Sequence, residues 1–465
     1  VSTATSVTTV AIANLGCKAN QYDGTYLAAL LQKNNYHLVD FKEIADIYVI
    51  NTCTVTDKAD YDGRNLIRRA KRRNPDAITV VTGCYAQTHP KEVAKIEGVN
   101  LVLGNAQKSS LLDHLERARR ERERVHVVVD DIFKHTELET FGMSRYTEQT
   151  RAYVKIQDGC NQFCSFCVIP FARGRSRSIA ISQVIEELRE LSFHGFHEAI
   201  LTGIHIGTYG CDRGDRLGLT DLLRAIAVER PIHRVRVSSI DPEEITEEMI
   251  EVLGSSDIFC PHLHIPLQSG DNEILRLMRR RYTREDFFSL TERIVEKIPR
   301  VCIGTDVMVG FPYEDDLRFE NTFRLLREAP VHYFHVFPYS AKRGTRAAGF
   351  LGHVAPEIKK ERAGRLRDLS EEKMRRFRQS FVGGEVEVIL ESLFATGREN
   401  ASGSYEEWTG FSENYLPVVV RTAKGRGGEV VRCWVEGESG GRVVGGGFPP
   451  EPTQSFCRKD ADVSY

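Results

Sequence analysis

At 465 residues the chain is longer than one ordinary core organises, so two or three domains are expected. A hydrophobic share of 41%, a charged share of 28% and a mean hydropathy of −0.32, with no run of 18 apolar residues, exclude a helical membrane span. The net charge of −2 excludes a uniformly basic polyanion binder, and the opening VSTATSVTTVAIANLGC, with no basic and apolar leader, sets the expectation of a cytoplasmic protein.

In the first hundred residues short β-branched runs alternate with amphipathic helical stretches, the pattern of a small parallel α/β domain expected over 8–118. Three expected strands, Val10 to Leu15, Ile47 to Asn51 and Ala77 to Thr82, run into Cys17, Cys53 and Cys84. The carboxyl ends of parallel strands share one edge, where ligands collect, so these cysteines are expected to converge. From Asn105 to Arg145 the pattern weakens to a charged helix, one short apolar strand and a polar stretch, which reads as a domain boundary with a linker over 119–145.

From 146 to 378 strands and helices alternate again, with strands expected at Tyr153 to Gln157, Glu198 to Leu201, Arg234 to Ser238, Leu263 to Ile265, Val301 to Val309 and Tyr333 to Phe337. Six such strands predict a partial or full (β/α) barrel with its mouth at their C-terminal side. The glycine-rich, alternating segment 379–445 predicts a small antiparallel β-barrel of a kind that often handles nucleic acid. Residues 446–465, rich in Gly, Pro and Ser, read as disordered. Basic runs at Arg68 to Arg73, Arg173 to Arg177, Arg279 to Arg281 and Lys359 to Arg378 read singly as solvated helix faces and together permit a polyanion partner.

Eleven cysteines cannot all pair, and an intracellular chain disfavours disulfides. Cys211, Cys260, Cys302, Cys433 and Cys457 read as ordinary thiols. Cys160, Cys164 and Cys167 lie in the segment DGCNQFCSFC, directly after an expected strand. A four-iron cubane takes four thiolates, so three protein ligands leave one iron open to an outside ligand. Structural zinc wants a fourth Cys or His at compatible spacing, which this segment lacks.

These residues match the CxxxCxxC signature of radical S-adenosylmethionine enzymes. The wider layout, from about Thr8 to Val444, resembles the methylthiotransferases of that superfamily: GCKANQYD, INTCTVT and TGCYAQ, then DGCNQFCSFCVIPFARGRSRS, LTGIHIGTYG, RVRVSSIDP, HLHIPLQSG and GTDVMVGFP. The resemblance implies two [4Fe-4S] clusters, one on Cys160, Cys164 and Cys167 that cleaves S-adenosylmethionine to a 5′-deoxyadenosyl radical, and one on Cys17, Cys53 and Cys84 that presents the sulfur to be transferred. It further implies that Phe166 packs on the adenine, that Gly203 lies near the methionine moiety, and that Ser238, Gln268 and Asp306 line the barrel mouth. The C-terminal barrel resembles the TRAM module. His264 reads as a satisfied interior histidine.

The N-terminal wording most resembles the branch acting on threonylcarbamoyladenosine beside the tRNA anticodon. Sibling branches modify isopentenyladenosine in tRNA or an aspartate of a ribosomal protein. The expected partners are therefore the anticodon loop of tRNA and an electron-donating protein, with no membrane and no DNA; a non-catalytic iron–sulfur RNA-binding protein is the rival from another class. One departure from the family pattern stands out: Tyr313 replaces the glycine of GFPGE, so a narrowed loop or a different turn is expected there.

Overall fold

The computed structural model describes residues 7–138, 150–400 and 403–447; Cys457 and the part of the expected tail from 448 onward lie outside them. The chain divides into two compact units, Val1–Met374 and Arg375–Tyr465.

The first unit opens with a six-stranded sheet of β1 (Thr9–Asn14), β2 (His37–Val39), β3 (Ile47–Thr52), β4 (Ile78–Gly83), β5 (Leu101–Leu103) and β6 (His126–Val128), ordered β2-β1-β3-β4-β5-β6. Every pairing is parallel. Both β3 and β4 are buried at every position. Their runs IYVINT and ITVVTG carry apolar residues on both faces because helices cover both. On one face Val49, Val80 and Leu101 pack under Leu27, Leu31 and Leu115; on the other Ile50, Val81 and Val102 pack under Ile67 and Ala70. The segment expected as a linker contributes β6, which closes this sheet beside β5.

The remainder of the unit holds β7 (Arg151–Lys155), a two-residue ribbon of β8 (Gln157–Asp158) with β9 (Arg177–Ser178), β10 (Glu198–Thr202), β11 (Arg234–Val237), β12 (His262–His264), β13 (Cys302–Val309) and β14 (Tyr333–Pro338). Two three-stranded parallel sheets, β11-β10-β7 and β12-β13-β14, meet where Val235 N donates to Ile258 O (2.6 Å) and Cys260 N to Val235 O (2.9 Å). The result is the expected partial barrel, with all six strands in place. Val154, Leu201, Val235, Ile303 and Val336 face its helices in one continuous core. Alternate positions along the same strands turn inward, and there Glu198, Arg234, Arg236, His262 and His264 are buried.

The second unit is a closed barrel of β15 (Glu385–Asn400), β16 (Gly403–Ser412), β17 (Pro417–Thr422), β18 (Val430–Ser439) and β19 (Arg442–Gly447), ordered β15-β16-β17-β19-β18. Four of its seams are antiparallel and β17 pairs β19 in parallel. Closure leaves no free edge.

Reading the basic runs as solvated faces holds for Arg68, Arg69 and Arg72, which are exposed. It fails at members of the other three, and in the run from Lys359 to Arg378 the buried Arg362 and Arg378 pair with Glu314 and Glu438. Arg173 is 1% exposed and Arg177 is buried, and the Arg280 side chain is 5% exposed; each is engaged by carboxylates or carbonyls, a pairing that run composition cannot show.

Candidate active site

The core site is built on the chain leaving β7. Gly159 turns with φ +77°, and a β-carbon there would stand 1.9 Å from Arg175 O, so only glycine fits. The loop that follows carries Cys160, Cys164 and Cys167, all partly buried. Cys160 N donates to Gly174 O (3.0 Å), Ser165 N to Met278 O (3.1 Å) and Cys167 N to Cys164 O (3.0 Å). Gln157, which no motif had marked, staples this loop to the one after β10. Its Nε2 donates to Gly159 O (2.6 Å) and Ser176 Oγ (2.9 Å), while its Oε1 accepts from Ile204 N (3.0 Å) and His205 N (2.8 Å).

Two cations stand against the sulfurs. His205 Nδ1 lies 3.5 Å from Cys160 Sγ, and Arg280 Nη1 donates to Cys164 Sγ at 3.4 Å. Behind them Glu244 is 2.7 Å and Asp241 3.3 Å from His205 Nε2, and Asp241 is 2.5 Å from Arg280 Nη2. Burial alone would lower the His205 pKa, but contacts with Asp241, Cys160 and Glu244 hold it up to about 12, so the ring is cationic. Burial raises the Cys164 thiol against the pull of Arg280, and pushes Cys167 up to about 12, aided by Cys164. Cations with N–H groups aimed at buried sulfur stabilise the anionic form that a metal ligand needs.

The second trio sits at three adjacent strand ends, as expected from β1, β3 and β4. Cys17 caps the N-terminus of the helix Lys18–Lys33, Cys53 follows β3, and Cys84 begins the helix Cys84–Thr88. Gly16, at φ +99°, lets the Cys17 turn approach Cys53, since a β-carbon would lie 2.8 Å from Cys53 Sγ. Cys17 is exposed at the surface while Cys53 and Cys84 are buried, and burial together with Cys84 pushes the Cys53 thiol up to about 12. Asn20 braces the trio: its Nδ2 donates to Leu15 O (2.7 Å) and Thr52 O (2.9 Å), the residues ahead of the Cys17 and Cys53 turns, and its Oδ1 lies 3.9 Å from Cys84 Sγ.

The donor sets fit iron–sulfur clusters. Among the described residues, the three-donor groups with ligand atoms all within 4.8 Å of one another are His264–Asp306–His335 and His205–Asp241–Glu244, so neither cysteine trio is drawn together that tightly. A tetrahedral zinc with Zn–S bonds of about 2.3 Å keeps its sulfurs less than ~4 Å apart. The wider spacing suits a multi-iron cluster, and His205, beside Cys160, has its other nitrogen 2.7 Å from a Glu244 carboxylate oxygen.

The expected cofactor contacts divide. Phe166 meets Phe311 edge to face at 6.4 Å. Gly203 answers a packing need: a β-carbon there would lie 2.7 Å from Gln157 O. Ser238 is buried at the end of β11, its N–H donating to Leu201 O (3.1 Å). Gln268 is held at φ +64° between Asp306 O and Met308 N, a left-handed backbone of the kind stored at functional sites. Asp306 Oδ1 takes His264 Nε2 at 3.0 Å and His335 Nδ1 at 3.2 Å. Burial would raise its pKa, but these two imidazoles hold it well below the usual carboxylate range. His264 is thereby the satisfied interior histidine expected.

Tyr313 adopts φ +69°, a left-handed backbone that glycine takes without strain. Its N–H donates to Gly352 O (3.0 Å) and its ring covers Phe350 at 6.2 Å.

A partial barrel with three cysteines in the loop after its first strand defines a radical S-adenosylmethionine enzyme. Two family models match: "Uncharacterized protein family UPF0004" over residues 9–104 and "Radical SAM superfamily" over residues 154–326. A threonylcarbamoyladenosine tRNA methylthiotransferase of Aquifex aeolicus is 42% identical over 82% of this chain and 92% of its own length; that of Bacillus subtilis is 40% identical over 95% of both. A tRNA-2-methylthio-N(6)-dimethylallyladenosine synthase of Moorella thermoacetica is 34% identical over 85% of this chain and 90% of its own. The chain therefore belongs to the radical S-adenosylmethionine methylthiotransferase family, and its cofactors are [4Fe-4S] clusters and S-adenosylmethionine. The fold also resembles a solved radical S-adenosylmethionine methyltransferase, TsrM of Kitasatospora setae, at a TM-score of 0.53 and 16% identity, covering 71% of this chain and 74% of that one.

Proposed function

We propose that the chain transfers a methylthio group to C2 of N6-threonylcarbamoyladenosine beside the anticodon of tRNA. One observation carries the two-site part of this reading: two cysteine trios, each one ligand short of a cubane set, lie in one compact unit, with the helix Ile169–Arg173 that follows the core cysteines packed on the helix begun by Cys84. Cys160, Cys164 and Cys167 hold the cluster that, when bound, supplies the electron for cleavage of S-adenosylmethionine; Cys17, Cys53 and Cys84 hold the second. His205 and Arg280 stabilise the core thiolates. Phe166, Gly203, Ser238, Gln268 and Asp306 line the cofactor pocket.

The substrate half of the reading is supported by the names and identities of the relatives above. Two surfaces suit RNA. On the first unit, Arg68, Arg69 and Arg72 expose cationic groups to phosphate. On the second, exposed Phe394 lies under Arg442 at 5.4 Å, and Trp434 is 45% exposed, which are platforms for unpaired bases. No helix among the described residues is long and apolar enough to cross a membrane.

The test is mass spectrometry of tRNA nucleosides from cells with and without the gene. Loss of 2-methylthio-threonylcarbamoyladenosine is expected. Its persistence overturns the substrate, and loss of the isopentenyl derivative instead assigns the sibling activity. Failure of reconstituted protein to release 5′-deoxyadenosine under a reductant returns the binding-protein reading.

A further inference from the structure

Between the two cysteine sites lies a buried cluster of charge. Asp23, on the helix capped by Cys17, takes Lys108 Nζ at 2.6 Å, Lys155 Nζ at 2.8 Å and Arg173 Nη1 at 2.9 Å. Asp158, two residues before Cys160, takes Arg173 Nη1 at 3.1 Å and Lys155 Nζ at 3.4 Å. Three cations thus meet two carboxylates, and none of the five side chains is more than 7% exposed. Cations are kept this far from water at a cost of several kcal/mol apiece unless something compensates them, and the set leaves one positive charge over.

Arg173 occupies the position from which that charge acts. Its Nη2 donates to Asn20 Oδ1, the side chain that braces the Cys17 and Cys53 turns. Its Nε–H is buried and has no protein acceptor. Its charge and the sulfurs of Cys17 and Cys84 interact electrostatically. The same residue ends the short helix that leads away from the core cysteines. It therefore touches the supports of both sites at once.

We propose that Arg173 is the positioning residue of the N-terminal cluster: its buried charge sets that cluster's reduction potential, and its fork, which joins Asn20 to Asp158, ties the N-terminal cysteine turns to the radical site. Adding an electron to a cluster adds negative charge, so a buried guanidinium favours the reduced form. The inference rests on the two-cluster reading, not on the identity of the RNA base.

The experiment uses the full chain with Cys160, Cys164 and Cys167 replaced by alanine, reconstituted with iron and sulfide, so that only the N-terminal cluster is present. Electron paramagnetic resonance during a redox titration reads its midpoint. For Arg173→Gln, the reduced-to-oxidised ratio at the parent's midpoint is expected to fall at least tenfold, a shift of about 59 mV for one electron. Arg173→Lys keeps the charge and loses the fork, so its ratio stays within threefold of the parent. In the six-cysteine protein the same lysine variant lowers methylthio product per 5′-deoxyadenosine released more than tenfold. Charge arithmetic favours folding of the glutamine variant, since Lys108 and Lys155 still neutralise Asp23 and Asp158; if it nevertheless binds less iron, the lysine variant decides alone. An unchanged midpoint in the glutamine variant, or unchanged coupling in the lysine variant, overturns the proposal. A triple-alanine parent that binds no iron overturns the two-cluster reading instead.

Discussion

Glu198→Gln removes the carboxylate on which the barrel interior is centred. Glu198 is fully buried, with Arg236 on it at 2.9 and 3.2 Å, Arg234 at 2.7 Å and Arg151 at 3.8 Å. Burial would raise its pKa, but Arg236 and Arg234 outweigh that and bring it down to about 2 from the ordinary 4.5. A carboxylate depressed in the folded state contributes stability that is complete above the unfolded value and is lost as the pH falls through the folded one. The gap is worth about 3 kcal/mol, and an isosteric amide that leaves three guanidiniums facing one another should cost about 3–5 kcal/mol at pH 7. Both tryptophans, Trp408 and Trp434, lie in the second compact unit. In urea, far-ultraviolet dichroism therefore follows the first unit and tryptophan fluorescence the second. The dichroism midpoint of Glu198→Gln should drop while the fluorescence midpoint stays, and the difference from wild type should shrink between pH 4.5 and pH 2. A variant within about 1 kcal/mol of wild type at pH 7, well short of the ~3 kcal/mol at the low end for a broken buried pair, refutes the argument that these cations need this anion.

Reconstituted wild type should bind about eight irons and either triple cysteine-to-alanine variant about four; the variant lacking Cys17, Cys53 and Cys84 should still release 5′-deoxyadenosine without transferring a methylthio group, as iron analysis and product chromatography will show. Gln157→Leu strands the N–H groups of Ile204 and His205, and chemical denaturation should show a loss of about 2–4 kcal/mol. At Tyr313, glycine should be neutral or stabilising, and valine should cost a further 1–2 kcal/mol or so by thermal unfolding, because the backbone is left-handed. Phe394→Ala and Trp434→Ala should each weaken tRNA binding by about 1–3 kcal/mol in a filter assay, leaving cofactor cleavage without RNA unchanged.

Much of this architecture is legible in one-dimensional pattern. Predominantly apolar, β-branched runs mark β3 and β4, and cysteines just past strand ends mark an edge of a parallel sheet, because both signals are local. Three-residue strands such as β2 and β5 carry too little periodicity to register, and the sixteen-residue β15 departs from strict alternation through three register shifts against β16. The supporting residues were hidden for another reason. Gln157, Asn20 and Asp241 each act in part through partners 19 or more residues away, and no spacing rule spans such distances.

The arginines show where composition misleads most. RGRSR has the same appearance as RRAKRR, yet the second run lies on a helix whose exposed positions it fills, while the first follows a five-residue helix docked onto another domain. A helical run distributes its charges around the axis, and most of them reach water. A run that ends a short helix at a domain junction has no such freedom, and its charges enter the protein where a carboxylate waits. Asp23 and Asp158 are those carboxylates, one from each domain. Neither domain alone holds the full set of countercharges, so the buried arginine is what a close junction between the two cysteine sites requires, and the junction is what makes burying the arginine possible.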